Sequence, residues 1–83
     1  MPRFFFNVHD GVEMPDLEGV ELPDLRSARN EAVQLSAGML RDAPEQFWNH
    51  QEWAVDVTDE SGLILFTLTF VGTQAPALRE VSM

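Results

Sequence analysis

Apolar and polar residues alternate with a period of two toward both ends of the chain and recur at helical spacing in the middle. In residues 3–9 (RFFFNVH), Phe4, Phe6 and Val8 fall on one side and Phe5, Asn7 and His9 on the other, which predicts a strand. Asp10-Gly11 is a turn signal that ends it. Residues 24–41 place Leu25, Ala28, Ala32, Leu35 and Met39 at spacings of three and four, one stripe of an amphipathic helix flanked by Val33 and Leu40. Asp24 stands where a carboxylate accepts from the free amides of a first turn, and Pro23 holds Leu22 extended, so the helix starts there and no earlier. Gly38, near its end, either permits close contact with a sheet or frays the last turn.

Residues 52–58 (EWAVDVT) and 63–70 (LILFTLTF) alternate again, across the turn-forming segment 59–62 (DESG). This predicts a β-hairpin. A four-residue loop sets Val57 opposite Ile64, Val55 opposite Phe66 and Trp53 opposite Leu68, all on one face. A three-residue loop would set Val57 against Leu65 and mix the faces, so burial favours the first register. Gly62 supplies a left-handed residue at the end of the loop.

The segment 10–24 holds six acids and no base. Within it, residues 12–14 are a candidate short returning strand, limited by Pro15, which has no amide to donate. Val20 and Leu22 alternate with Glu21 as a short extended piece. Asp42 and Pro44 mark a second helical start, with Asp42 as cap and a turn running through Trp48. The segment after residue 71 mixes small and polar residues and is expected to fray.

Together these predict an α+β domain over residues 1–71 with a tail over 72–83. Its mainly antiparallel sheet has three strands, or four with the short extra one, in the order β-(short β)-α-β-β, and one helix covers one face. The expected core is Phe4, Phe6, Val8, Leu25, Ala28, Ala32, Leu35, Met39, Trp53, Val55, Val57, Ile64, Phe66, Leu68 and Phe70. The final strand is the most apolar and is expected at the centre, with the first strand antiparallel beside it. The alternative is a right-handed parallel crossover of the first strand onto the one before. The uncovered face would carry Phe5, Leu63 and Leu65 among polar residues, and these, with Trp48, are the candidate interface residues.

Composition narrows the function. Nearly half of the 83 residues are apolar, too many for a disordered chain. Cysteine is absent, so disulfides and thiolate metal sites are excluded. The net charge is −9, lysine is absent and the five arginines are scattered. Nucleic acids and anionic membranes require clustered cations, so neither is an expected partner. The N-terminal apolar run is short and meets Asn7, His9 and Asp10 at once, unlike a signal peptide, and no stretch reaches the ~20 apolar residues of a membrane span. A cytoplasmic protein is expected.

Candidate chemistry is sparse. His9 and His50 are the only histidines, and two such residues far apart in sequence fall short of a zinc site. Read as a calcium loop from Asp10, the acidic segment puts Pro15 where the obligatory glycine belongs. Ser27, Ser36 and Ser61 lie in helix or turn contexts without a nucleophile elbow. No catalytic residue, cofactor or metal site is expected.

The segments MPRFFFNVHDG, DLEGVELPDLRSARNEA and VDVTDESGLILFTLTF together resemble a family of short bacterial proteins known only as a domain of unknown function. The resemblance covers most of residues 1–71; the FWNHQEW stretch and the longer tail depart from it. It implies the fold and a bacterial source, and carries no catalytic residues. The leading expectation is a non-catalytic protein-interaction or accessory domain, self-associating as a homodimer through the open sheet face or an unpaired strand edge. A small-ligand-binding or sensor domain, with a pocket between the helix, Trp48 and the acidic segment, is the alternative, and an enzyme is third.

Overall fold

A computed structural model describes residues 1–76; the last part of the expected tail, 77–83, lies outside the described residues. The chain runs β1 (Arg3–His9), β2 (Glu13–Met14), β3 (Val20–Glu21), α1 (Leu25–Asp42), α2 (Pro44–His50), β4 (Glu52–Thr58) and β5 (Ile64–Val71). The α+β architecture is the expected one. Its sheet is larger, because both extended pieces of the acidic segment pair with β1: Val8 faces Met14, and Phe4 faces Val20.

Strand order differs from the expectation. The path is β2-β1-β4-β5, so the penultimate strand is central and the final strand lies at the edge. β1 joins β4 antiparallel, with Phe6 opposite Val57 and Val8 opposite Val55, so neither a central last strand nor a parallel crossover is formed. The acidic segment is the cause. It doubles back along β1, and the Leu22 amide reaches the Pro2 carbonyl at 3.1 Å, which returns the chain to the start of β1. The 18-residue α1 then spans about 27 Å toward the far end of β1. β4 therefore begins beside His9 and must run back antiparallel.

Local signals act as read at the start of α1. Asp24 accepts from the Ser27 amide at 2.8 Å. Its end differs slightly: Asp42 closes α1 instead of capping α2, whose cap position is Ala43 without a side-chain bond. A side chain at Gly38 would begin in open space, with nothing within 4 Å of its Cβ, so the glycine is not there for close sheet contact, and the helix continues past it.

The core is Phe4, Phe6, Val8, Ala28, Ala32, Trp53, Val55 and Val57, all buried, with Leu35, Met39, Phe66, Leu68 and Phe70 partly buried around them. Two expected members are outside it. Leu25 is 43% exposed at the first turn of α1, and Ile64 is 56% exposed. Ser36 is fully buried instead, and its hydroxyl donates to the Ala32 carbonyl at 2.7 Å. A small residue with its polar atom satisfied inside its own helix lets α1 lie close on β4.

Ile64 is displaced by the hairpin. Asp59 accepts from the amides of Ser61 and Leu63 and from the Ser61 hydroxyl, which builds a five-residue loop. Thr58 then faces Ile64, and a bulge beyond it brings Phe66 opposite Val57, Leu68 opposite Val55 and Phe70 opposite Trp53. The faces sort as burial requires, two residues away from the expected register. The bulge does this in place of a four-residue loop.

Candidate functional site

The two edges of the sheet are treated oppositely. The outer edge of β1 is closed by β2 and β3, and in the gap between them by the side chain of Asp16. That carboxylate accepts from the Phe6 amide at 3.1 Å with one oxygen and from the Glu18 and Gly19 amides at 3.1 and 3.0 Å with the other. The Asp16 amide in turn donates to Asn7 Oδ1 at 2.9 Å. Burial works against ionising Asp16, but the Gly19, Phe6 and Glu18 amides and the Arg3 charge outweigh it, so its carboxyl sits below the ordinary value. Gly19 has φ +74°, and a side chain there would strike the Phe4 carbonyl and the Arg3 and Phe5 side chains. The loop can close over β1 only with glycine at that point.

At the other edge, β5 (ILFTLTFV) carries no charged side chain and no proline. Among the described residues no strand pairs with its outer side. α1 packs over β4, and Phe66, Leu68 and Phe70 on the helix side of β5 stay only partly buried. Val71 and Ile64 at its ends are 62% and 56% exposed.

The face away from α1 carries a polar line that crosses the sheet in strand order. Glu13 on β2 contacts His9 Nδ1. His9 Nε2 on β1 meets Asp56 Oδ2 on β4 at 2.7 Å, and Thr67 on β5 donates its hydroxyl to Asp56 Oδ1 at 2.7 Å. The bond to Asp56 raises the His9 pKa above its ordinary value; partial burial opposes this, and the charges of Glu13 and Asp56 add to it. Thr67 lowers the Asp56 pKa, against burial and with help from His9. Chemically this is a charged clasp. The Thr67 proton is directed at the Asp56 carboxylate and the imidazole is held between Glu13 and Asp56, so side chains tie the four strands together across the polar face. Alternation alone puts His9, Asp56 and Thr67 on one face, but only the β1–β4 pairing makes them neighbours.

His50 is brought near the same end. Its ring packs on Gly11, and His9, Glu13, His50 and Glu52 line a shallow depression of about 290 Å³. Among the described residues no three His, Asp or Glu side chains converge as metal ligands. Asp10, buried at the end of β1, accepts from Gln46 Nε2 at 2.8 Å and so ties α2 to the sheet.

The four candidate interface residues do not form one patch. Phe5 faces Thr58, which faces Ile64, so these share a column on the uncovered face. Leu65, 36% exposed, occupies the bulge, and Leu63, 61% exposed, the loop beside it. Trp48 is 53% exposed and lies at the opposite end of β5, where it meets Phe47 edge-on at 5.5 Å and covers Gly72. An unpaired strand edge is among the expected routes of association, but the sequence does not say that β5 carries it, because the most apolar strand is expected at the centre.

Fold and surface together define a small sheet-and-helix module with one edge closed and, among the described residues, one edge open. The chain belongs to the family DUF6894, a domain of unknown function, whose model matches residues 3–71. No curated protein and no solved structure matches it. No described helix is long and apolar enough to cross a membrane.

Proposed function

We propose that this DUF6894 chain is a non-catalytic interaction module that acts as a homodimer. The observation that carries the reading is β5: an eight-residue, charge-free edge strand beside partly buried Phe66, Leu68 and Phe70. Soluble proteins guard such edges with charge, proline or a covering segment, and the β1 edge of this same sheet is guarded in that way. The clasp of His9, Asp56 and Thr67 supports a structural role for the polar face, since its hydroxyl and imidazole each bind carboxylate. Sedimentation velocity on the full chain at tens of micromolar tests the proposal. A species of twice the 9.4 kDa chain mass is expected, and a monomer throughout would overturn it.

A ligand-binding reading has one observation in its favour. A shallow cavity of about 320 Å³ lies between α1 and the acidic segment, floored by Phe6 and Val8 and walled by Met14, Glu31 and Leu35. Trp48, expected as part of such a pocket, does not line it. A thermal-shift screen of small amines and other metabolites should stabilise the chain if this cavity is used; a flat response leaves the interaction reading alone.

A further inference from the structure

We propose that two copies join through β5, antiparallel about a two-fold axis at Leu68, so that the two sheets become one. The pairing rests on the self-association proposed above and names the surface and register that perform it.

Three observations select a second copy as the occupant of this edge. The first is charge. Each chain carries −9, and any contact between copies must avoid bringing carboxylates together. From Gly62 through Pro76 there is no charged residue, so β5 lies within the longest charge-free run of the described chain. The second is register. Strand residues directly opposite one another share a face, so a two-fold axis must pass through a residue. With the axis at Leu68, Phe66 faces the partner's Phe70, Leu68 faces the partner's Leu68, and Thr67 faces the partner's Thr69. Each of the three partly buried apolar residues then gains an apolar neighbour, and the threonines align on the polar face. An axis at Thr67 would set Thr69 against the partner's Leu65 and so draw the bulge into the pairing. The third is that the bulge itself limits the ladder. Residues 66–71 form the regular stretch, so the axis falls at one of its two middle residues; at Thr69, Phe66 would face the partner's Gly72, and only an axis at Leu68 gives Phe66, Leu68 and Phe70 each an apolar partner. The four-strand path of each chain would continue into the other as a single eight-stranded sheet, with the closed β1 edges outermost.

The chain has no cysteine, so one introduced thiol reports on one position. Cross-strand partners lie about 4.5–5.5 Å apart at Cα, within the range a disulfide spans. Leu68→Cys, Val71→Cys and Val33→Cys are oxidised separately at a concentration where the wild-type chain is dimeric. Val71 lies on the same strand, but its copies would be about 20 Å apart at ~3.4 Å per residue. Val33 is exposed on α1. Leu68→Cys is expected to form a covalent dimer at least tenfold faster than either control (~1.4 kcal/mol or more). Hydrogen exchange on the unmodified chain gives an independent reading, with amides in 66–70 slowing as concentration rises. A dimer in which Val71→Cys or Val33→Cys links as fast, and in which 66–70 gain no protection, would overturn this pairing and leave self-association standing. A monomer would overturn both. A full chain that dimerises only after residues 77–83 are removed would assign the edge to the chain's own tail and overturn the pairing.

Discussion

His9 holds an imidazole between two carboxylates on different strands, and that arrangement couples stability to pH. Its folded pKa lies above the ordinary 6.5, first because of the Asp56 hydrogen bond. The stability it contributes is therefore whole below pH 6.5 and is lost as pH rises through the raised value. Asp56 has the opposite sign. Its folded pKa lies below 3.8, chiefly through the Thr67 hydroxyl, so its contribution is whole above pH 3.8 and is lost as pH falls through the lowered value. The clasp is complete between those limits. His9→Gln should cost most stability in that window in urea unfolding, and the difference from wild type should shrink toward pH 9. A cost that does not vary with pH would show that the imidazole contributes by packing alone. Each member of the clasp is visible in the sequence as a polar residue on an apolar strand. What the sequence lacks is the neighbour relation, since His9 and Asp56 are 47 residues apart.

At the level of elements, β1 depends on a segment that looks like solvated loop. Asp16 does the work of a strand residue between β2 and β3, receiving three backbone amides and closing the gap opposite Phe6. Asp16→Ala should destabilise the chain by about 1–3 kcal/mol, because it removes charge-assisted bonds and leaves the Phe6 amide without its acceptor. The urea midpoint should fall, and the amides of Phe6, Glu18 and Gly19 should exchange faster; an unchanged midpoint would place the edge closure in β2 and β3 alone. Helix α1 was legible nearly residue by residue, because its cap and stripe are local. The β4–β5 hairpin was legible as an element and by face. Its register was not, because the Asp59 side chain builds a longer loop and the bulge restores the faces. Periodicity reports which side a residue takes and is silent on a shift of two.

For the whole molecule, the acidic charge and the open edge act against each other. Association brings two chains of −9 together at an uncharged strip. Their mutual repulsion weakens as salt shortens the screening length from ~10 Å at 0.1 M to ~3 Å at 1 M. The dimer should therefore tighten as salt is raised over this range, read as a falling dissociation constant in sedimentation equilibrium. Weakening with salt would show that ion pairs, and not an apolar strand edge, hold the copies together.

Residue order alone sets the α+β class, the bounds of α1, the two faces of β1, β4 and β5, most of the core and the absence of any thiolate chemistry. These follow from local rules, in which spacing, capping and residue type act within a few positions. Tertiary structure decided which strand is central, which edge is open and which polar residues meet across the sheet. Those depend on the acidic segment folding back along β1, through contacts whose individual signals are weak and which reach as far as Pro2 with Leu22. That return sets the direction of α1, α1 sets the direction of β4, and β5 is left with one side uncovered among the described residues.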